Sequence, residues 1–247
     1  MRLLKSAITV VFASLFLASI GTAANLTEDF DALLGAGETG IREWNIYDEP
    51  GANSGPSNWH ITEVDGQIAI LENSNIYGGD AGSDSPSRGS WIYYNGGNWD
   101  NSIFEVDMYA LDDDIPGVLF RYVDENNFYV FDMNGQDSRT DGRFGRLRVC
   151  VDGQYTELGK VMETMYEKDN GIWHHIKVEI LGENIKVSLD DRMLFDVMDS
   201  SIPSGSVALS AWGMNPGVAF DNVSVTEIST SPVSPMNKIA TTWGELK

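Results

Sequence analysis

Between Phe104 and Met133 the sequence reads FEVDMYALDDDIPGVLFRYVDENNFYVFDM, three apolar runs separated by acidic turns. The runs Phe104–Ala110, Gly117–Val123 and Phe128–Met133 are β-branched and aromatic, side chains that suit a pleated, half-buried surface. The same rhythm continues on both sides. A short first run over Asn25–Phe30, then Ile41–Tyr47, Trp59–Glu63, Gln67–Glu72 and Trp91–Tyr94 come before it. Arg143–Val151, Gln154–Val161, Trp173–Leu181, Asn184–Leu189, Met193–Val197, Gly205–Trp212 and Val218–Ile228 come after. Asp65-Gly66 and Asp152-Gly153 are hairpin turns, because the second residue takes a positive φ at no cost. Gly182-Glu183 turns another pair, and Asn73 to Gly89 is a long polar loop. No window keeps a 3.6-residue apolar period beyond a turn or two; the best helical stretch, Leu158–Lys168, reads equally as strand and loop. About fifteen short strands with turns between them predict an all-β chain folded as a two-sheet antiparallel sandwich.

The ends read differently. Arg2 and Lys5 precede an apolar stretch, Ala7–Ile20, and Gly21-Thr22-Ala23-Ala24 supplies small residues for cleavage, so residues 1–24 are expected to be a secretory signal. The expected domain is 25–229, with the linker TSPVSP at Thr230–Pro235 opening a short tail over 230–247. An exported, extracellular or periplasmic protein is the consequence. Formal net charge is −21, and loss of two basic residues with the signal makes it −23. That balance argues against nucleic acid, whose phosphates need a basic surface, and against anionic lipid. Cys150 is the single cysteine, so stability has to come from the core or from a metal rather than from a disulfide within the chain.

Leu111–Met133, LDDDIPGVLFRYVDENNFYVFDM, is similar to a segment of thrombospondin C-terminal domains, and more so to bacterial secreted laminin G-like modules of the concanavalin A-like superfamily. Trp173-His174-His175-Ile176-Lys177-Val178, Ile185–Asp190, Leu194–Val197 and Phe220-Asp221-Asn222-Val223 follow in the order that resemblance expects. It covers roughly residues 25–228 and implies a jelly roll of one concave and one convex sheet. The superfamily holds lectins, adhesion modules and hydrolases, so the resemblance speaks to fold more than to activity. It also implies calcium at Asp112, Asp113 and Asp114. From the residues alone these three carboxylates are either a solvated turn or a hard-cation site. Asp29 and Asp221, beside the first and last strands, are weaker candidates for a second Ca²⁺ position joining the chain ends.

Laminarinase-type relatives carry Glu-x-Asp-x-x-Glu or a one-residue-shorter form on a strand. Glu105-x-Asp107 begins that pattern, but Tyr109 and Ala110 stand where the third acid belongs, and retaining hydrolysis needs both a nucleophile and an acid/base. Of the histidines, His174 and His175 point to opposite faces of one strand and His60 is isolated. Sugar binding draws on aromatic faces and planar polar groups. Strict alternation places Val118, Phe120 and Tyr122 on one face and Leu119 and Arg121 on the other. A buried unpaired Arg is costly, so Arg121 is expected on the open, concave face. Tyr129 and Arg148 join it from neighbouring strands and Trp212 from the end of its run; cross-strand packing and an Arg–acid pair are the alternative for the same residues. The expected function is a non-catalytic carbohydrate-binding or adhesion module, its partner an extracellular glycan or a matrix or cell-surface protein. A hydrolase of the same superfamily and a purely structural interaction module are the alternatives.

Overall fold

A computed structural model of the chain describes residues 25–34, 41, 43–78, 89–136, 142–168 and 170–229. The expected signal at 1–24 and the tail at 230–247 lie outside the described residues. Among the described residues no helix is long and apolar enough to cross a membrane.

The strands are β1 Leu26–Glu28, β2 Trp44–Asp48, β3 Trp59–Val64, β4 Gln67–Glu72, β5 Ser90–Tyr94, β6 Ser102–Ala110, β7 Ile115–Asp124 and β8 Asn127–Asn134. They continue as β9 Phe144–Val151, β10 Gln154–Val161, β11 His174–Leu181, β12 Asn184–Leu189, β13 Arg192–Met198, β14 Ser206–Trp212 and β15 Val218–Glu227. One sheet runs β13-β12-β11-β6-β15-β4-β3, with β1 paired to β15; the other runs β10-β9-β8-β7-β14-β5-β2. All pairings are antiparallel, and the two sheets stack as a jelly-roll sandwich. The ambiguous stretch Leu158–Lys168 resolves as the end of β10 followed by irregular chain.

Alternation supplies the core. On β6, Phe104, Val106 and Met108 point inward while Glu105 and Asp107 point out; on β8, Tyr129, Phe131 and Met133 point inward. These meet Val118, Phe120, Leu147, Ile176, Val178 and Phe220 in one cluster between the sheets. Smaller clusters cover the outer faces. Trp91, Leu119, Tyr122, Phe128, Val130, Cys150 and Ala208 pack on the outside of the seven-stranded sheet, so Cys150 is an ordinary buried strand residue. Tyr109, Ala219, Leu71 and Trp173 pack on the outside of the other sheet.

One departure from alternation redirects the chain. The β7–β8 register shifts between Phe120 and Asp124, the β14–β7 register shifts at the same place, and Arg121 takes a φ of 45°. A bulge of this kind adds a residue and re-aims the side chains around it. Val118 and Phe120 face the core as expected, but Tyr122 is thrown to the outer face beside Leu119. Arg121, expected on the open face, turns instead into the seam between the sheets. It is 3% exposed and donates to the carbonyls of Ile202 (2.9 Å), Asp100 (2.9 Å) and Gly182 (2.7 Å). The three carbonyls engage both Nη groups of the buried guanidinium, while its Nε is buried without a partner. Gly205 lies against this bulge, where a Cβ would stand 2.3 Å from the Arg121 carbonyl carbon, so only glycine fits.

Candidate functional site

The outer face of the seven-stranded sheet carries a continuous aromatic surface. Tyr47 stacks on Trp91 at 4.4 Å; Trp91 meets Tyr122 and Phe128; Tyr93 lies 4.8 Å from Tyr122; Phe128 meets Tyr155 edge-on. Tyr47, Tyr93 and Tyr155 are half-exposed and present the accessible rings; Trp91, Tyr122 and Phe128 form the buried floor. Period-2 alternation turns Tyr47, Trp91, Tyr93, Phe128 and Tyr155 outward, and the β7 bulge adds Tyr122 to the same face.

Beside these rings lies a buried charged group. Strand pairing aligns Trp91, Ser210, Gly117, Asp132, Arg146 and Lys160 in one row across β5, β14, β7, β8, β9 and β10. Asp132, 1% exposed, accepts from Arg146 Nε (3.1 Å) and Nη2 (3.2 Å) and from Arg148 Nη2. Burial works to raise the Asp132 carboxyl, but Arg148 and Arg146 outweigh it and hold the group below the usual carboxylate value. Arg148 also lies 4.7 Å over the Tyr155 ring, and Arg146 and Lys160 lie over Phe144. The row closes tightly over Gly117, where a Cβ would stand 2.9 Å from Ser210 Oγ and from the Phe131 carbonyl oxygen. Trp91, Leu119, Phe128, Val130, Arg148, Tyr155 and Ser210 line a cavity of about 10 Å³, room for no more than one water. One donor in that lining, Arg148 Nε, is buried with no acceptor. A neutral ligand rich in hydroxyl oxygens fits such a surface, rings for its C–H faces and donors for its oxygens.

Two of the four sugar-binding residues expected from the sequence belong here. Arg148 is central. Trp212 shares the face but is covered, its Nε1 donating to the Gly78 carbonyl (3.1 Å) and its ring meeting Tyr77. Arg121 does not belong here, for the reason given above, and Tyr129 does not either. Tyr129 is fully buried between the sheets, stacked on Phe120 at 5.4 Å with its hydroxyl on Asp199. Burial first, then the neighbouring Asp199, pushes that hydroxyl up to about 12. Sequence reading passed over Tyr47, Trp91, Tyr93, Tyr155, Asp132 and Arg146. The outward period of Trp91 and Tyr93 on β5 was the available signal; the Asp132–Arg148 contact, formed across two strands, had none.

Of the acidic positions expected to hold calcium, those of the Asp112–Asp114 turn are engaged by protein groups. Asp112 accepts from the amides of Asp113 (2.9 Å) and Asn215 (2.8 Å), and Lys168 Nζ stands 3.7 Å from both Asp112 and Asp113. The Asp114 carbonyl accepts from the Tyr166 hydroxyl. This turn is therefore closed by protein groups, with one lysine facing two of its three carboxylates. Asp29 caps its own turn through the Asp31 amide (3.2 Å). Among the described residues no three His, Cys, Asp or Glu side chains converge on a metal position.

Glu105 and Asp107 stand on the outside of the eight-stranded sheet, where both contact His175, at 3.5 and 2.7 Å. Burial works against the imidazolium, but Asp107 and Glu105 hold His175 above its ordinary value. Asp221, on the same face, is pushed up to about 6 by burial and by Asp31, Asp107 and Asp29, against the hydrogen bond from the Asn222 amide. A folded value above the unfolded one of about 3.9 means that Asp221 favours the fold when protonated. That stability is complete below about pH 4 and lost as pH rises through 6. Asp221→Asn is therefore expected to be more stable than wild type by about 2 kcal/mol at pH 8 and equal to it at pH 4. Urea unfolding at the two pH values measures this; no gain at pH 8 would contradict it.

Comparison with known proteins agrees with the architecture. Residues 29–226 match the family model described as a 3-keto-alpha-glucoside-1,2-lyase-like domain. Among solved structures the chain is similar to carbohydrate binding module CBM66 from Bacillus subtilis, with 18% identity over 75% of this chain and 96% of that one and a TM-score of 0.55. It is also similar to a protein of unknown function with a galectin-like fold from Bacillus subtilis, with 9% identity over 77% of this chain and 91% of that one and a TM-score of 0.53. At such identities these are likenesses of fold, and the fold is the concanavalin A-like jelly roll. No curated protein matches the sequence.

Proposed function

Since the chain belongs to the 3-keto-alpha-glucoside-1,2-lyase-like domain family, we propose that it binds a glucoside-type sugar on the outer face of the seven-stranded sheet. The observation that carries this is the half-exposed tyrosine surface of Tyr47, Tyr93 and Tyr155 set beside Arg148 and its orphan Nε donor. Rings take the apolar C–H faces of a pyranose, and the guanidinium donates to its hydroxyl or carbonyl oxygens. Asp132 aims the guanidinium. Held ionised between two arginines, it is a poor proton acceptor. The likeness of fold to a carbohydrate binding module supports the same reading. The glycan partner in this reading is a neutral glucoside.

A second reading comes from the family's description. A 1,2-elimination on a 3-keto-glucoside removes the proton at C2, acidified by the adjacent ketone, and breaks the bond from C1 to its oxygen. Arg148 would then stabilise negative charge developing on the ketone oxygen, and the base would come from outside the Asp132 group.

Titration calorimetry with α-glucosides and their 3-keto forms tests the proposal. Tyr155→Ala and Tyr47→Ala are each expected to weaken binding by about 1–2 kcal/mol, roughly tenfold in Kd, with circular dichroism unchanged. Undiminished binding in both variants would remove the site from this face. Release of the aglycone from a 3-keto-glucoside, lost in Arg148→Lys, would favour the second reading over simple binding.

A further inference from the structure

A different group of side chains lies between the two sheets, at one end of the sandwich. Asp48 and Ser90 are cross-strand partners on β2 and β5, and Trp59 and Glu72 are cross-strand partners on β3 and β4. Trp59 Nε1 donates to Ser90 Oγ at 2.8 Å and so joins the two pairs across the interior. The backbone then pins both carboxylates to adjacent residues. The Ser57 amide donates to Asp48 Oδ2 (3.0 Å) and the Asn58 amide donates to Glu72 Oε1 (3.2 Å).

Each carboxylate is satisfied on one oxygen only. Glu72 Oε1 also accepts from the Ser74 amide (2.9 Å) and the Ser74 hydroxyl. Glu72 Oε2 is buried with no partner, in a residue that is 0% exposed. Asp48 Oδ1 and Ser57 Oγ are buried without partners in the same group. Among the described residues no Lys, Arg or His pairs with Asp48 or Glu72. A fully buried carboxylate, Glu72, beside the half-buried Asp48, each with an orphan buried oxygen and no countercharge among the described residues, is expensive. A water would donate two hydrogens and leave the charge uncompensated, whereas a hard cation answers both needs.

We propose that Asp48, Ser57 and Glu72 form a site for a divalent hard cation of the calcium type, tying the β2 end of one sheet to the β4 end of the other. Three side-chain oxygens leave room for backbone carbonyls and water to complete a shell of six to eight. The site is separate from the sugar face and from the Asp112–Asp114 turn, and it stands whether or not the proposed function does.

Trp59, opposite Glu72 in the β3–β4 register, is a built-in antenna for terbium. The purified full chain is expected to sensitise Tb³⁺ emission on excitation of tryptophan, with calcium displacing it. Its melting midpoint is expected to rise in millimolar calcium relative to EGTA, because the ion binds the folded state. Asp48→Asn and Glu72→Gln are expected to lower the affinity about tenfold or more. Asp221→Asn is expected to leave it unchanged. Ser57→Ala alters no charge, keeps the amide that Asp48 accepts from, and serves should either carboxylate variant fail to fold; it is expected to weaken Tb³⁺ binding. The proposal is overturned if wild type shows no calcium-dependent midpoint, or if the response persists undiminished in every folded variant at 48, 57 and 72. Loss of the response in Asp221→Asn instead would move the ion to the chain ends and overturn it equally.

Discussion

Arg121→Met is expected to lower the stability of the domain by about 3–5 kcal/mol and its melting midpoint by roughly 10 °C. The side chain is buried in the seam and holds the Ile202, Asp100 and Gly182 carbonyls, which come from three separate connections. A methionine fills most of the volume but leaves three acceptors without donors, each worth about 1–3 kcal/mol. Arg121→Lys is expected to recover little, since an ammonium cannot match the spacing of a planar fork. Urea unfolding measures the loss. A change of under about 1 kcal/mol in Arg121→Met would mean that water replaces the guanidinium at these carbonyls.

Asp132→Asn is the second large expectation, because it removes the one charge that faces two buried guanidiniums at once. Breaking a buried pair from one side costs about 3–5 kcal/mol, and an amide accepts on one oxygen only. Sugar binding is expected to fall with it, since Arg148 loses its anchor. The pH dependence separates this from simple loss of packing. Arg148 and Arg146 hold the folded carboxyl low against the effect of burial. Its contribution is therefore complete above the unfolded value of about 3.9 and disappears as pH falls through the lower folded value. The stability gap between wild type and Asp132→Asn is expected to be constant from pH 5 to 8 and to close below pH 4. A gap that persists undiminished at low pH would assign the loss to packing.

Most of the strand layout was legible because it is local. Asp-Gly pairs at 65–66 and 152–153 take positive φ values at both positions, and the hairpins β3–β4 and β9–β10 form around them. The alternation of Phe104, Val106 and Met108 sorts inward from outward without reference to any other strand. Incomplete motifs were legible for the same reason: Glu105-x-Asp107 has no third acid, whatever the fold.

Three things needed the assembled chain. Alternation says inside or outside only until a bulge interrupts it, and nothing in Phe120-Arg121-Tyr122 announces that β7 gains a residue there. The bulge is held by Gly205 and by carbonyls at Asp100, Gly182 and Ile202, all distant in sequence. Alternation is also silent about which face of a sheet is covered by the other sheet, so Tyr129 and Tyr155 look alike in the sequence, although they stand on opposite faces of one sheet, one in the core and the other lining the candidate site. Finally, the charge groupings depend on register between strands. Asp132 meets Arg148 because β8 and β9 pair at one offset, and Asp48 shares an interior with Glu72 because two sheets stack at one end. Those offsets are set by packing between distant segments, and a turn, a period or a motif encodes only what lies within a few residues of itself.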